Sequence, residues 1–529
     1  MKLLTEIKVK VKYDENDIFS GIKRKYNLEK SEILSWEIVK ESIDSRKKPE
    51  IFVSLNLAVE VAKKAQKKVS KCSETVVSHE GITYEKMEFH GEKPVVVGFG
   101  PSGMFAGLAL ALAGLEPIIL EQGKCVSERQ KDVDEFWQNR KLNKFSNIQF
   151  GEGGAGTFSD GKLASNVSNA YTKKVINELI LCGAPSEIFY SSTPHIGSDK
   201  LKEVVTNIRT KIEENGGKVL FNSHFDGFEL TGDKISKVKF TDIVSGETRE
   251  IKTSAIILAV GHSAVDVYKM LKGSSCEMKQ KPFAMGVRIE QKQSDLNFAQ
   301  YGKHDSDLPP ANYKLVEHLE NGRSVFTFCM CPGGYVVASS SDEGTVVTNG
   351  MSNYARDGEN ANSAVLVNVV PEDYSSSDVL AGVEFQHRYE KLAFELGGRN
   401  YNAPAELVGD FVSGAEVVRK TCGKVRPTYL PSITFADLRK CLPDFVYESL
   451  KEALPKMDKK IHGFASDDNL LIGVESRSSA PVQIVRDENF MTNITGLFAS
   501  GEGSGYAGGI TTSAADGVKC AEAVMNFLK

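Results

Sequence analysis

The chain lacks several things that would have settled its class at once. No uninterrupted apolar run approaches the roughly 18 residues of a membrane span, so none is expected. Cysteine is sparse: nine residues, Cys72, Cys125, Cys182, Cys276, Cys329, Cys331, Cys422, Cys441 and Cys520, scattered along 529 positions without a C-x-x-C pair. A disulfide framework is not expected, and a reducing, cytoplasmic compartment is. The nine histidines include no H-x-x-x-H and the cysteines no zinc spacing, so no metal site is expected. A strong charge surplus is missing too: the net charge of -5 gives no global cationic field to gather nucleic acid or anionic membrane. The first residues, MKLLTEIKVKVKYDEND, alternate charged and apolar side chains without an apolar core or small-residue cleavage site, unlike a secretory signal. There is no internal repeat and no low-complexity tract.

Length and an ordinary 41% hydrophobic content imply about two to four packed domains. Residues 1–90 read as a small α+β module. Leu3 to Tyr13 alternates like a strand, and Asp17 to Tyr26 suits a helix. Ile33 to Ser42 and Glu50 to Val61 suit a hairpin turning around Asp44 to Pro49, and Ala62 to Lys71 is Lys-rich and helical. That order fits a ferredoxin-like layer. Its basic clusters (Arg46, Lys47, Lys48; Lys63, Lys64, Lys67, Lys68) are either a solvated charged face or a nucleic-acid contact, though no aromatic platform interleaves with them. Composition shifts at His90–Lys93. Domain boundaries are expected at 91–280 for a first nucleotide-binding part, 281–464 for a mixed α+β substrate or cap domain, and 465–529 for a return to the nucleotide-binding fold.

The strongest local signal is Gly98-Phe99-Gly100-Pro101-Ser102-Gly103. It follows the apolar strand Pro94 to Gly98 and opens an apolar helix, Met104 to Ala113, stopped by Gly114. A second strand, Leu115 to Leu120, ends in Glu121 and Gln122. Gly98 permits the turn, Gly100 leaves room for a pyrophosphate, and Gly103 lets helix and strand pack closely. The helix N-terminus presents free N–H groups and partial positive charge, while Glu121 can accept from a ribose diol. This turn alone is too weak an anchor. A helix dipole contributes about 0.5–2 kcal/mol and each charge-assisted hydrogen bond about 1.5–3, against roughly 8 needed for micromolar binding.

Further segments supply the rest. Phe150-Gly-Glu-Gly-Gly-Ala-Gly156-Thr157-Phe-Ser-Asp-Gly-Lys162-Leu163 is dense in glycine and lets backbone approach a planar ring. Ser198 to Glu214 is an amphipathic helix that leads through Gly216-Gly217 to the strand Lys218 to Phe225. Ala255 to Ala259 is an apolar strand ending at Gly261-His262, and Gly496 to Ile510 is a Gly-rich strand and loop entering a C-terminal helix from Thr511 to Leu528.

These segments resemble the two-dinucleotide-fold flavoproteins of the glutathione-reductase-like superfamily. The resemblance implies that the fingerprint binds the ADP half of FAD, with Phe225 near the adenine and Ala259 and Gly261 beside the pyrophosphate. Gly501, Glu502, Gly508, Gly509 and Ile510 would then lie along the ribityl chain and flavin, Glu502 standing where an Asp is usual. More closely, FGEGGAGTFSDGKL, KPFAMGVRIE, FCMCPGGYVV, ESRSSAPV and GEGSGYAGGITTSAADG resemble a family of uncharacterised bacterial FAD-dependent dehydrogenases across nearly the whole length. The fold class implied is α/β: a Rossmann-like FAD/NAD(P)-binding domain assembled from discontinuous segments, with the mixed substrate domain and the N-terminal module beside it.

A flavin carries its own redox chemistry, so few catalytic groups are needed. Arg477 could orient a carboxylate or phosphate, or it could be spent in a salt bridge with Glu475 or another acid. His262 is a candidate acid/base at the cleft. Cys329 and Cys331 suggest small-residue packing rather than a dithiol, because i and i+2 on a strand lie too far apart for a disulfide. No second G-x-G-x-x-G opens a helix after a strand, so NADH or NADPH would visit transiently, or a redox partner would deliver electrons. The expected activity is an FAD-dependent oxidoreductase acting on a small or lipid-like substrate. The alternative is a flavin-dependent RNA-modifying or RNA-binding protein using residues 1–90.

Overall fold

The computed structural model describes residues 2–69, 81–164, 169–304, 306–415 and 419–529. Its nucleotide-binding half is a five-stranded sheet, parallel throughout, in the order Leu497–Ala499, Ile256–Leu258, Val95–Val97, Ile118–Leu120, Lys218–Leu220. The three valines at its centre are buried, as β-branched residues are when a parallel strand is covered on both faces. The chain enters this sheet early, leaves it after Leu258 and returns at Leu497, so the half is assembled from discontinuous segments.

The fingerprint helix spans Pro101–Leu112, three residues earlier than predicted, with Gly100 as its N-cap. Proline has the helical φ already and no N–H to lose at a first turn, so it extends the helix instead of delaying it. Ten of its residues are buried, because the helix is enclosed by the sheet, by helix Ser198–Glu214 and by the C-terminal helix Ile510–Phe527. The two helices that flank the fingerprint approach it closely. A side chain at Gly517 would place its Cβ 2.1 Å from the Ser102 carbonyl oxygen.

The strand predicted from Lys218 to Phe225 is two strands. Asn222 has φ +53 and ends Lys218–Leu220. Ser223–Thr231 then joins Lys234–Asp242 and Thr248–Lys252 in a separate antiparallel sheet.

The other half is a seven-stranded sheet in the order Val316–His318, Ser324–Cys331, Asn360–Val369, Phe283–Lys292, Leu470–Glu475, Ala403–Leu407, Ile433–Phe435. It is antiparallel except for its last pair. Helix Asp444–Asp458 packs across it and closes the largest apolar cluster.

The N-terminal module is a split β-α-β. Strand Glu50–Val61 lies between Lys2–Val9 and Ile33–Lys47, antiparallel to both, and helix Glu15–Tyr26 covers one face. Asp14 and Asp17 form a reciprocal capping box at the helix start. Strand Ile33–Lys47 runs five residues past its predicted end, since register shifts let it follow the twist of its partner. The Lys-rich segment is a 3-10 turn, Lys63–Val69, in place of an α-helix; residues 70 and 71 of that prediction lie outside the described residues. The module rests on the body through Lys12–Asp307, through Lys48 Nζ donating to the Ala299 carbonyl, and through Glu41 N–H donating to the Tyr190 carbonyl.

Candidate functional site

The two halves enclose a cleft of about 900 Å³, at the upper end of the roughly 300–1,000 Å³ of small-molecule sites. Its nucleotide wall is mostly backbone. Gly98, Gly100, Pro101 and Ser102 line it at the fingerprint turn, and Gly508, Gly509 and Ile510 line it at the start of the C-terminal helix. Neither helix has a side chain capping its first N–H groups, so both leave donors and partial positive charge facing the cleft. Gly98 has φ +97, a conformation that other residues rarely adopt. A Cβ at Gly261, Gly508 or Gly509 would meet nothing within 4 Å, and one at Gly100 only Gly154 Cα at 3.7 Å. The glycines therefore hold open a space that is otherwise empty.

The glycine-dense segment joins the two helix starts. A Cβ on Gly154 would lie 2.9 Å from Gly100 Cα, and one on Gly156 would lie 3.2 Å from Ile510 and 3.7 Å from Pro101. Arg129, fully buried, fixes the segment by donating to the carbonyls of Asn147, Ile148, Glu152 and Gly154 at 2.6–2.9 Å. Burial pushes its guanidinium down to about 10, opposed by Glu121 and Glu152; it stays charged at neutral pH. Glu152 accepts from Val126 N–H at 2.7 Å and Arg209 Nε at 2.8 Å. Asp160, beyond the turn, is held bidentately by Arg356 at 3.0 and 2.5 Å. Arg129 and Arg356 are missed by sequence reasoning: both lie in segments with no motif of their own, and Arg356 is also far along the chain from the loop it holds.

Glu121 lines the cleft, yet its carboxylate is largely engaged. Oε1 accepts from Gly123 and Gly151 N–H at 2.8 and 2.9 Å, and Oε2 accepts from Phe99 N–H at 2.8 Å. It ties the fingerprint turn to the glycine-dense loop, and only Oε2 keeps capacity for a further donor. Gln122, Lys162, Phe225, Ala259 and Gly261 also line the cleft.

Three expected contacts lie behind the wall. A Cβ on Gly103 would fall 1.9 Å from the Gly98 carbonyl oxygen, so this glycine serves packing alone. Thr157 is buried, and its hydroxyl donates to the Glu152 carbonyl at 3.1 Å. Gly501 donates its N–H to Asp516 at 2.8 Å, and a Cβ there would lie 2.6 Å from Ser102.

Glu502 accepts from Ala480 N–H at 2.8 Å and sits 3.7 Å from His262 Nε2. His262 Nδ1 is 2.9 Å from Ser263 Oγ. Burial, opposed by Glu502, holds the imidazole below its usual range and hence neutral at pH 7.

Arg477 lines the cleft as expected, but the proposed anion clamp is corrected. Its Nε and Nη2 donate to Glu390 at 2.9 and 2.8 Å, Nη2 to Asp342 at 2.7 Å, and Nη1 to Ser263 and Ser341 at 3.1 and 2.6 Å. A guanidinium has five N–H groups, and all are used. The acids are Glu390 and Asp342, not Glu475. These two carboxylates and His387 bring potential ligand atoms within 4.8 Å of one another, but the guanidinium already occupies the cation's place.

Cys329 is corrected as well. It occupies a bulge with φ +41 and opens onto the cleft instead of packing among small residues. In the N-terminal basic clusters, Arg46 is paired with Asp44 and Lys68 with Glu32, which fits the solvated-face reading. Among the described residues no helix is long and apolar enough to cross a membrane.

The profile of the FAD-dependent protein C-terminal domain matches residues 282–478, which contain all seven strands of the seven-stranded wall. A domain of unknown function matches residues 1–60. Among solved structures, the chain is similar to the glycerol-3-phosphate dehydrogenase of Bacillus halodurans complexed with FAD (11% identity, 83% of this chain and 64% of that one, TM-score 0.37). It is also similar to E. coli quinol fumarate reductase (11%, 84% and 71%, TM-score 0.38) and to L-proline dehydrogenase of P. horikoshii (12%, 84% and 94%, TM-score 0.33). No equivalence of fold follows from TM-scores this low. A Clostridium beijerinckii protein described only as uncharacterized is 44% identical over 531 residues, 99% of this chain and 98% of its own. With that identity across both chains, the chain belongs to the same family as its Clostridium relative, and its residues 282–478 carry the FAD-dependent protein C-terminal domain.

Proposed function

We propose that the protein is an oxidoreductase that holds FAD non-covalently along the nucleotide wall and exchanges electrons with a small organic substrate at the seven-stranded wall. The observation that carries this reading is the convergence of two uncapped, glycine-fronted helix N-termini on one cleft, bridged by the loop 150–163. Bound there, FAD supplies the two-electron chemistry. The amides after Gly100 would receive the diphosphate, and the free Oε2 capacity of Glu121 a ribose hydroxyl. The amides after Gly509 would stabilise negative charge on the flavin ring. Lys162 is the cation next to that ring, 3.9 Å from Asp160. His262, neutral and beside Glu502, bounds the same space. Phe225 would cover the adenine.

The test is flavin content. The purified protein is expected to release one FAD per chain on denaturation. Anaerobic reduction with NADH, then NADPH, followed by a screen of oxidants, identifies the donor and the direction of electron flow. Gly100→Val should yield a folded apoprotein, because a side chain there projects into the cleft rather than into protein. Full flavin occupancy in that variant would mean that the diphosphate lies elsewhere.

A further inference from the structure

The seven-stranded wall carries a buried polar cluster that the cofactor reading leaves unused. Strand Leu470–Glu475 pairs Gly286 with Glu475 but Val287 with Gly473, so Val474 is an extra residue and the ladder bulges next to Glu475. On the far side of the same sheet, Phe328 pairs with Ala364 and Cys331 with Asn362, so Cys329 and Met330 together oppose one residue. Bulges of this kind re-aim side chains and recur beside active sites. Both face Arg288, whose side chain is wholly buried between them. Its Nη2 donates to the Cys329 carbonyl at 3.0 Å. Its Nε lies 3.0 Å from Glu475 Oε2, yet the two are misaligned and neither atom completes a hydrogen bond.

Around this pair, both polar atoms of Asn362 and the Thr348 hydroxyl also lack partners. Gly350 makes the room: a Cβ there would lie 2.7 Å from the Arg288 guanidinium and 2.4 Å from Asn362 Oδ1. Buried polar atoms without partners are rare, and a group of them behind a cleft wall marks a place completed by something else. Of the residues with an orphaned polar atom here, Glu475 lines the cleft, next to Cys329, Met330 and Gly350.

We propose that Glu475 is the proton-exchanging residue of the cleft, positioned by Arg288, and that the substrate is an organic acid oxidised or reduced at a carbon next to an O–H or N–H group. This rests on the FAD reading. In the oxidising direction the carbon's hydrogen leaves with its electron pair for FAD, the neighbouring O–H or N–H bond breaks, and its proton goes to the Glu475 carboxylate. The electron pair of that bond forms the C=O or C=N bond. Reduction is the reverse.

The electrostatics agree. Burial pushes the Glu475 carboxyl up to about 7, with Arg288 pulling it down, which suits a group that must both take and give a proton near neutrality. Cys331 across the bulge stays protonated through burial. The flanking charges are Lys162, the Asp160–Arg356 pair, the Arg477 group with Glu390 and Asp342 that follows the strand, and Glu290 on the strand of Arg288. Asp160 is already held by Arg356, so Lys162 lines the cleft as its least engaged cation, which favours a substrate carboxylate.

Holoprotein with measured flavin content is compared as wild type, Glu475→Gln and Glu475→Asp by infrared spectroscopy of the carboxyl band against pH. The wild type is expected to show a carboxyl that titrates near pH 7, absent in Glu475→Gln and moved in Glu475→Asp. Arg288→Met should raise the proton affinity of that carboxyl about tenfold, with Arg288→Lys restoring most of it. Photoreduction in weak buffer should take up more protons per flavin in the wild type than in Glu475→Gln around neutral pH. Succinate, as the probe anion, should perturb the flavin spectrum more strongly below pH 7 than above it, and equally at both in Glu475→Gln. Identical carboxyl spectra and proton uptake in wild type and Glu475→Gln would overturn the proposal, and a flavin spectrum indifferent to succinate would remove the organic acid. Protein that carries no FAD would instead overturn the cofactor reading, while the carboxyl titration of the apoprotein still judges Glu475.

Discussion

The two walls of the cleft are built on opposite plans. The nucleotide wall presents backbone, and its charged side chains, Glu121, Arg129 and Asp516, spend themselves on backbone groups or, for Asp516, also on Arg486. The seven-stranded wall presents side chains and leaves Arg288 Nε, Glu475 Oε2 and both polar atoms of Asn362 without partners. Among the described residues no orphaned buried side-chain atom falls in the glycine segments 98–103, 150–163 or 496–513. A wall that binds through free backbone N–H groups can hold a constant cofactor without a side chain to replace. A wall of incompletely satisfied side chains is suited to chemistry and to discrimination between substrates.

The largest expected effect tests that contrast directly. Glu121→Ala strands the N–H groups of Phe99, Gly123 and Gly151. At about 1–3 kcal/mol for each buried orphan, the loss is on the order of 5 kcal/mol. The loop 150–163 should loosen and the flavin should leave. Thermal melting together with flavin absorbance checks both. A stable, yellow Glu121→Ala protein would show that the carboxylate is a ribose ligand and little else.

Next in size is Arg477→Ala. It removes the partner of Glu390, a carboxylate that is wholly buried and held well below its usual range by that guanidinium. Breaking such a pair costs about 3–5 kcal/mol. Had Arg477 been a substrate clamp, the same change would weaken substrate binding and spare the melting temperature. The two outcomes separate a structural arginine from a functional one within a single cleft.

The contrast also explains what the sequence could and could not reveal. The nucleotide wall was legible because its requirements are local. A turn with φ +97 at Gly98, a proline at the first helical position and an acid at the end of the next strand all fall within 25 residues. The split β-α-β of the N-terminal module was legible for the same reason. The seven-stranded wall was not. Arg288, Cys329, Asn362 and Glu475 meet only because four strands from distant parts of the chain pair in one sheet, and the two bulges that aim them leave no mark in hydrophobic periodicity. Arg477 was left open between a clamp and a salt bridge for a related reason: its acids arrive from residues 342 and 390, so no inspection of ESRSSAPV could show them.

Glu406 extends the comparison to buried carboxyls. It lies in the same sheet, away from the cleft, accepting from Leu438 N–H at 3.0 Å. Burial pushes it up to about 7. A carboxyl whose folded value exceeds its unfolded value of 4.5 contributes its full stability below that pH, and the contribution is lost as pH rises through about 7. Glu406→Gln keeps the acceptor and removes the charge. It should therefore match the wild type in acid and exceed it by about 1–3 kcal/mol above neutrality. Denaturant melts below pH 4.5 and above pH 7 measure the difference, and an unchanged gap between variant and wild type at both would mean that the carboxyl is solvated.

The smallest expected effect isolates the cradle itself. Gly508 and Gly509 both face open space, but only Gly509 needs a positive φ, at +84. Gly509→Ala therefore confounds strain with obstruction. Gly508→Ala introduces one methyl group into the cleft and asks nothing of the backbone, so stability should stay within about 0.5 kcal/mol. If the start of the C-terminal helix lies against the flavin, that methyl must meet the ring, and the visible spectrum or the reduction potential will shift while the melting curve does not. If both stay unchanged at full flavin occupancy, the ring does not lie against Gly508, and the placement of its electron-rich edge at this helix N-terminus fails.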